Sequence, residues 1–210
     1  MRGRFLVLEG IDGCGKTTQL QALADWLPAS GLMPSTANLV ITREPGGTSL
    51  GRALRQLLLH PPEGSAPTQR AELLLYAADR AQHVQACIEP ALERGDWVLS
   101  DRFSGSTAAY QGHGRGLDQE LIDQLEHAAT AGLRPDLCLW LAIDPVEAAR
   151  RRAGQQQDRM EAAGLRFLQR VHAGFAELAQ RNGWFTVSAD QSREQVQHQL
   201  QALVTQQLGS

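Results

Sequence analysis

The sequence has 210 residues, of which 42% are hydrophobic, and this length predicts one domain with one sizeable core. Its 20 basic and 23 acidic side chains give a net charge of −3, which argues against general binding to a nucleic acid backbone. The apolar runs are far shorter than the roughly 20 residues that span a bilayer, which argues against a membrane protein. The N-terminus does not resemble a signal peptide, which argues against secretion. The three cysteines lack the spacing of zinc ligands and favour free thiols in the cytoplasm.

Five short strand-like runs alternate with helical patterns along the chain. The strands are predicted at residues 4–9, 38–42, 96–100, 137–143 and 184–188. This alternation is typical of an α/β protein with a five-stranded parallel sheet covered by helices on both faces. Ser192 and Gln195 predict a capping box that starts the last helix. Residues 60–67 and 153–157 are predicted as surface loops because glycine, proline and polar residues cluster there.

The run Gly10–Thr17 matches the phosphate-loop pattern G-x-x-x-x-G-K-[ST], and it lies between a predicted strand and a helical pattern. Glycines allow backbone N–H groups to face phosphate oxygens, Lys16 adds a positive charge, and the Thr17 hydroxyl can reach Mg²⁺. The alternative is a glycine turn with a chance lysine. The order of strand, loop and helix favours a nucleoside triphosphate site.

The residues after the third strand distinguish between classes of phosphate-loop protein. No Asn-Lys-x-Asp run for guanine recognition occurs in the sequence, which argues against a switch GTPase. Asp101 ends the strand where a carboxylate can orient Mg²⁺, but Arg102 follows where many mechanical ATPases have a glutamate. The pattern favours a small-molecule kinase.

Four further motifs follow the predicted strands or lie on predicted helices, at residues 42–48, 75–82, 101–111 and 158–161. Together with residues 9–13, they closely resemble the thymidylate kinase family, in combination and in order. The resemblance covers nearly the whole chain as one domain, 1–210. It implies a nucleoside monophosphate kinase fold with a short lid, a homodimer, and Mg²⁺-dependent transfer of the ATP γ-phosphoryl group to dTMP for dTTP synthesis. The alternatives are a kinase for another nucleoside monophosphate and a non-catalytic nucleotide-binding module.

The resemblance also implies roles for individual residues. Arg43 and Arg102 match ligands of the dTMP phosphate, although each could instead form a surface ion pair. Tyr76 and Arg80 share one helix face and match the residues that stack on thymine and bond its carbonyl, the alternative for Tyr76 being core packing. The remaining substrate-binding residues are Glu9, Asp12, Ser106, Tyr110 and Gln111. The residues assigned to ATP are Gly10, Ile11, Asp12, Gly13, Cys14, Gly15, Lys16, Thr17 and Thr18.

The match is weakest in the predicted lid, about residues 150–161. Some family members carry a catalytic arginine in the phosphate loop, but this chain has Gly13 and Cys14 there. We therefore expect the lid to supply the cation, with Arg152 preferred and Arg151 expected to be solvated. The arginines could instead only complement the helix dipole. The predicted catalytic residues are Asp12, Lys16, Arg102 and Arg152, and the predicted metal ligands are Thr17 and Asp101.

Overall fold

The five predicted strands are all present in the computed structural model, which describes residues 2–154 and 158–209. Each observed boundary lies within one residue of its prediction, so the five-stranded α/β architecture is confirmed. The strands are β1 (Phe5–Glu9), β2 (Leu39–Arg43), β3 (Trp97–Asp101), β4 (Leu137–Ala142) and β5 (Phe185–Ser188).

The strands form one parallel sheet in the order β2-β3-β1-β4-β5. The chain leaves β1 towards β2 on one side and leaves β3 towards β4 on the other. Because parallel crossovers are right-handed, these two connections lie on opposite faces of the sheet. A crevice consequently opens beyond the carboxyl ends of β1 and β3, which is where such sheets bind ligands.

Nine α-helices surround the sheet within the described ranges. They are α1 (Lys16–Trp26), α2 (Ser49–Leu59), α3 (Gln69–His83), α4 (Glu89–Glu93), α5 (Ser104–Thr107), α6 (Gln119–Thr130), α7 (Pro145–Arg151), α8 (Leu165–Asn182) and α9 (Arg193–Leu208). Wider π-helical turns join α3 to α4 and follow α5. In the parts of the chain described, no helix is long and apolar enough to cross a membrane.

The helices begin where the sequence supplies a capping group. Thr48 accepts a hydrogen bond from the Gly51 N–H at the start of α2, and Ser192 and Gln195 form the predicted capping box of α9. Helix α1 differs, because Gly15 precedes it with φ +89° and has no side chain to cap it. The first N–H groups of α1 are therefore available to a ligand.

Alternate side chains of β1 point into two apolar layers. Leu6 and Leu8 pack on one face of the sheet, whereas Phe5 and Val7 pack on the other, and all four are fully buried. Burial of one such side chain contributes about 1.5–3 kcal/mol to stability. The two layers hold the end of β1 rigidly, and with it the start of the phosphate loop.

Candidate active site

A cavity of about 650 Å³ opens beyond the carboxyl ends of β1, β2 and β3. The phosphate loop lines one part of it, and side chains that follow β2 and β3 line others. Residues from α3 and from both ends of the predicted lid complete the wall. The predicted site residues that line it are Asp12, Gly13, Gly15, Lys16, Thr17, Thr18, Arg43, Tyr76, Arg80, Asp101, Arg102, Ser106, Tyr110, Gln111 and Arg152.

The phosphate loop curls around the Lys16 side chain. The ammonium group of Lys16 donates to the carbonyl oxygens of Gly10 at 2.9 Å and Ile11 at 3.1 Å. Gly13 has φ +88°, and a Cβ there would lie 2.6 Å from the Ala148 carbonyl oxygen, so only glycine fits. The loop thus places one buried cation and the uncapped start of α1 beside the cavity.

Three predicted ATP residues do not reach the cavity wall. Gly10, Ile11 and Cys14 are buried, and the backbone at Gly10 packs against Leu141 of β4. The cavity wall therefore leaves out these three of the nine residues assigned to ATP. These three residues shape the loop instead of lining the cavity.

Asp12 and Arg102 form the centre of the site. The Arg102 guanidinium donates to Asp12 Oδ1 at 2.9 Å, to the Ser106 hydroxyl at 2.9 Å and to the Tyr110 hydroxyl at 3.2 Å. Burial alone would raise the pKa of Asp12, but Arg102 and Lys16 outweigh it and hold that pKa well below its usual range. Asp12 is therefore a carboxylate at neutral pH, and Arg102 is held in a fixed orientation.

Arg102 has φ +75°, a left-handed conformation that is uncommon for residues other than glycine. Such a backbone costs on the order of 1–3 kcal/mol and persists where the surrounding contacts enforce it. Strain of this kind concentrates at functional sites, which agrees with the position of Arg102 on the cavity wall.

Glu9 differs from its prediction as a substrate ligand. It is fully buried, does not line the cavity, and accepts hydrogen bonds from the Phe103 N–H, the Ser106 N–H and the Ser106 hydroxyl. Burial raises the pKa of Glu9. The structure therefore corrects its role, because the carboxyl group holds the segment after β3 and so positions Arg102 and Ser106.

Three arginine side chains approach each other on the wall of the cavity. Arg43 is the last residue of β2, Arg102 follows β3, and Arg55 lies on α2, where it donates to the Pro45 carbonyl oxygen at 3.1 Å. Burial lowers the pKa of Arg55, and repulsion from Arg43 and Arg102 lowers it further. Cations gathered against their mutual repulsion form a site for an anion, and planar guanidinium groups suit a phosphate.

Another part of the cavity wall combines an aromatic ring with two polar groups. Tyr76 and Arg80 lie one turn apart on α3, and Gln111 approaches from the turn after α5. Burial raises the pKa of Tyr76, and the nearby Glu72 raises it further, so the phenol stays neutral. A flat ring beside hydrogen-bonding groups can bind a nucleobase.

Most N–H groups of Arg80 donate hydrogen bonds within the protein, whereas the prediction assigned this side chain to the base. Its guanidinium donates to Glu44 at 2.7 Å, Glu126 at 2.5 Å, Thr107 at 2.8 Å and the Phe103 carbonyl oxygen at 3.1 Å. All but one of its N–H groups are used in these bonds. Arg80 can therefore give a ligand in the cavity a single hydrogen bond from a rigidly held donor.

The predicted metal ligands, Asp101 and Thr17, are suited to hold Mg²⁺. The Oδ1 atom of Asp101 is enclosed and has no hydrogen-bond partner within the described residues, although a buried carboxylate oxygen normally has one. Thr17 lines the same cavity. Mg²⁺ usually takes one or two protein oxygens and completes its shell with water and phosphate oxygens, so this sparse pair of residues suits it.

The end of α7 brings two arginines to the cavity. The Arg152 guanidinium donates to Glu161 at 2.8 Å, while its Nε has no partner in the described part of the chain. Arg151 also lines the cavity and donates to Glu147 at 2.9 Å and the Ala189 carbonyl oxygen at 3.0 Å. Arg151 is exposed to solvent, and these two contacts hold its guanidinium against α7 and the residue after β5. Residues 155–157 of the predicted lid lie outside the described residues.

Comparison with known proteins agrees with this geometry. The sequence profile described as thymidylate kinase matches residues 8–200. The chain belongs to the thymidylate kinase family. It is 74% identical over 208 residues to the thymidylate kinase of Synechococcus sp. strain RCC307, with 99% of this chain and 98% of the relative covered. The thymidylate kinase of Prochlorococcus marinus strain MIT 9313 is 61% identical over 209 residues, with 100% of this chain and 97% of the relative covered.

A solved thymidylate kinase has the same fold. The crystal structure of the enzyme from Ehrlichia chaffeensis matches with a TM-score of 0.78 and 32% sequence identity, covering 98% of this chain and all of that one. The similarity therefore extends over the sheet, the phosphate loop and the cavity-lining segments of this thymidylate kinase family member.

Sequence reasoning missed Arg55, which lines the cavity of this thymidylate kinase fold, and Glu72, which lies behind Tyr76 and Gln111. Arg55 lies on α2 and reaches the cavity only because α2 packs beside α3. Glu72 lies one turn before Tyr76 on α3, and it is fully buried. The spacing of four residues between Glu72 and Tyr76 was a signal that both share one helix face. No local signal identified Arg55.

Proposed function

We propose that this chain phosphorylates dTMP to dTDP, with ATP as the phosphoryl donor and Mg²⁺ as the cofactor, in a single catalytic domain. One observation carries the proposal. A single cavity joins a phosphate loop to a cluster of three arginines and to a wall with an aromatic ring and base-reading groups. A triphosphate donor needs the first feature, and a phosphorylated acceptor with a flat base needs the other two.

The acceptor phosphate binds to the guanidinium groups of Arg43, Arg55 and Arg102. A phosphate monoester is already anionic at neutral pH, so the reaction needs no strong general base. The carboxylate of Asp12 accepts a hydrogen bond from the sugar hydroxyl and, through Arg102, fixes the acceptor relative to the phosphate loop. The principal task of the protein is to hold two repelling anions in line, and such positioning can account for several kcal/mol of the barrier.

On the donor side, the N–H groups at the start of α1 and the ammonium group of Lys16 bind the ATP phosphates. Thr17 and Asp101 would hold Mg²⁺, which when bound neutralises charge on the donor phosphates. Arg152 supplies a further cation from the lid side. Closure of the lid segment excludes water, which would otherwise take the phosphoryl group.

A panel of acceptors tests this proposal. We expect ADP release with dTMP, and kcat/KM lower for dUMP by an amount equivalent to about 1–3 kcal/mol, because only one methyl group is missing. We expect dCMP to be much poorer, because its amino group would meet the Arg80 N–H donor. Thymidine is the control for a nucleoside kinase, and its phosphorylation, or equal rates with dCMP and dTMP, would contradict the proposal.

Arg152 is expected to act mainly in the transition state. Arg152→Ala should lower turnover by about 10- to 100-fold while dTMP and ATP affinity stay nearly unchanged. Arg151→Ala should have a smaller effect, because its guanidinium is held by Glu147 and Ala189. Arg150→Ala is the matched control, since this exposed side chain pairs only with Glu147 in the described structure.

Turnover numbers and equilibrium binding for the three variants decide the assignment of the lid cation. Near-normal turnover in all three would assign the cation to another residue, Arg159 being the next candidate. That side chain is bound to Glu72 and to the Leu58 carbonyl oxygen in the structure.

We also propose that the chain is a cytoplasmic homodimer. All three cysteines are free thiols, as expected in a reducing compartment. Leu50 and Leu57 on α2 and Leu74 on α3 are each about half exposed, on helices that pack side by side.

Light scattering should give the mass of a dimer for the wild type and of a monomer for Leu57→Asp. The control Val146→Asp changes an equally exposed side chain on α7 and should remain dimeric.

A further inference from the structure

Glu72 is a buried carboxyl group behind the base-binding wall that does not itself line the cavity. Its Oε1 atom accepts a hydrogen bond from the Gln111 side-chain amide at 2.7 Å. The guanidinium groups of Arg115, at 3.5 Å, and of Arg159 also donate to it. Every group that contacts the carboxyl oxygens through a hydrogen bond is thus a donor, so Glu72 acts only as an acceptor.

This contact fixes the orientation of the Gln111 amide. A primary amide has a donor NH₂ end and an acceptor carbonyl end, and only the NH₂ end can bond to an acceptor. With its nitrogen bound to Glu72, Gln111 turns its oxygen the other way. That oxygen accepts no hydrogen bond within the described residues and is not among the enclosed unpartnered atoms, so it is open to the cavity.

The wall consequently offers one acceptor, from Gln111, and one donor, the remaining N–H of Arg80. Thymine presents the complementary pair, a ring N–H donor next to a carbonyl acceptor. Cytosine presents a ring nitrogen acceptor next to an amino donor, which leaves both protein groups unmatched. Unmatched polar groups in a buried site cost about 1–3 kcal/mol each.

We propose that Glu72 is a specificity-determining positioning residue that selects bases with a ring N–H by locking the amide oxygen of Gln111 towards the cavity. The proposal rests on the proposed function, because it takes the cavity to be the dTMP site. Glu72 could instead serve only as an anchor for Arg159 in the lid segment. The two roles differ in their effect on discrimination between bases.

The decisive variant is Glu72→Gln, whose amide can accept from or donate to Gln111. The side-chain amide of Gln111 is then free to rotate and exchange its oxygen and NH₂ ends. The ratio of kcat/KM for dTMP to that for dCMP should therefore fall by about tenfold or more, equivalent to about 1.4 kcal/mol. Glu120→Gln makes the same chemical change at an exposed position of α6 and should keep the wild-type ratio. Arg159→Gln should alter turnover with both nucleotides alike.

A double-mutant cycle separates positioning from general damage. In a Gln111→Leu background there is no amide to orient, so adding Glu72→Gln should not change the dTMP to dCMP ratio further. An unchanged ratio in the single Glu72→Gln variant, or the same loss of ratio in Arg159→Gln, would overturn the proposal. Absence of dTMP phosphorylation by the wild type would instead refute the proposed function itself.

A measurement on the wild-type protein keeps the proposal testable if Glu72→Gln does not fold. The side-chain NH₂ signal of Gln111 can be identified in a ¹⁵N spectrum by its loss in Gln111→Leu. We expect its protons to exchange slowly with solvent before dTMP is added, and to remain slow afterwards. Fast exchange that slows only when dTMP binds would show that the NH₂ end faces the base, and would overturn the proposal.

Discussion

Lys16→Met should reduce phosphoryl transfer by about a thousandfold, equivalent to about 4 kcal/mol, while leaving dTMP binding nearly unchanged. Lys16 is the only lysine in the sequence, so no neighbouring amine can replace it. Its ammonium group contacts the loop carbonyls of Gly10 and Ile11, from which it can turn to the donor phosphates. Methionine keeps most of the aliphatic stem but carries no charge.

Steady-state turnover with dTMP and ATP measures the loss, and calorimetric titration with dTMP alone measures acceptor binding. The thermal midpoint must be followed in parallel, because two loop carbonyl oxygens lose their donor and such a loss costs about 1–3 kcal/mol of stability. A folded Lys16→Met protein that retains turnover within tenfold of the wild type would disprove the phosphate-loop assignment.

Arg102→Ala should lower kcat/KM for dTMP by about a thousandfold, because one guanidinium both binds the acceptor phosphate and orients Asp12. Arg102→Lys should recover only a small part of this loss. An ammonium group is a point charge, and it cannot donate to Asp12, Ser106 and a phosphate in one plane.

Thymidine is the control ligand for Arg102, because it carries the base and sugar without the phosphate. Binding of thymidine should change far less than binding of dTMP in Arg102→Ala. If both ligands lose affinity equally, Arg102 acts by shaping the base and sugar pocket, and its assignment to the phosphate is wrong. The Arg43→Ala variant should resemble Arg102→Ala in ligand preference, with a smaller effect because Arg43 is exposed.

The strands and the phosphate loop could be predicted because their signals are local. Five short runs bounded by turn residues place the strands within one residue. The apolar signal is most continuous in the central strands β1, β3 and β4, because a parallel sheet buries its central strands on both faces. The motif Gly10–Thr17 combines several residue types at fixed spacing, and the conformation it requires depends mainly on its own glycines. Resemblance to a family then supplied the substrate, which no periodicity could give.

The exact roles of the site residues required the tertiary structure, because a side chain's partners lie far away in sequence. Glu9 has a residue type and a position that suit a ligand. Its carboxyl group instead accepts hydrogen bonds from the N–H and hydroxyl groups of Ser106, which lies 97 residues later in the sequence. Arg80 is likewise largely occupied by Glu44 and Glu126. A sequence shows which groups can bond, but not which bonds are already made.

By itself, therefore, the sequence determined the order of strands and helices, the phosphate loop and the set of charged and aromatic residues available for chemistry. Only the tertiary structure decided that Arg55 joins Arg43 and Arg102, that Arg151 reaches the cavity, and which end of the Gln111 amide faces it. The physical reason is that hydrophobic pattern and backbone conformation depend on neighbours in the chain. Orientation of a polar side chain depends instead on hydrogen-bond partners that helix packing brings from distant segments.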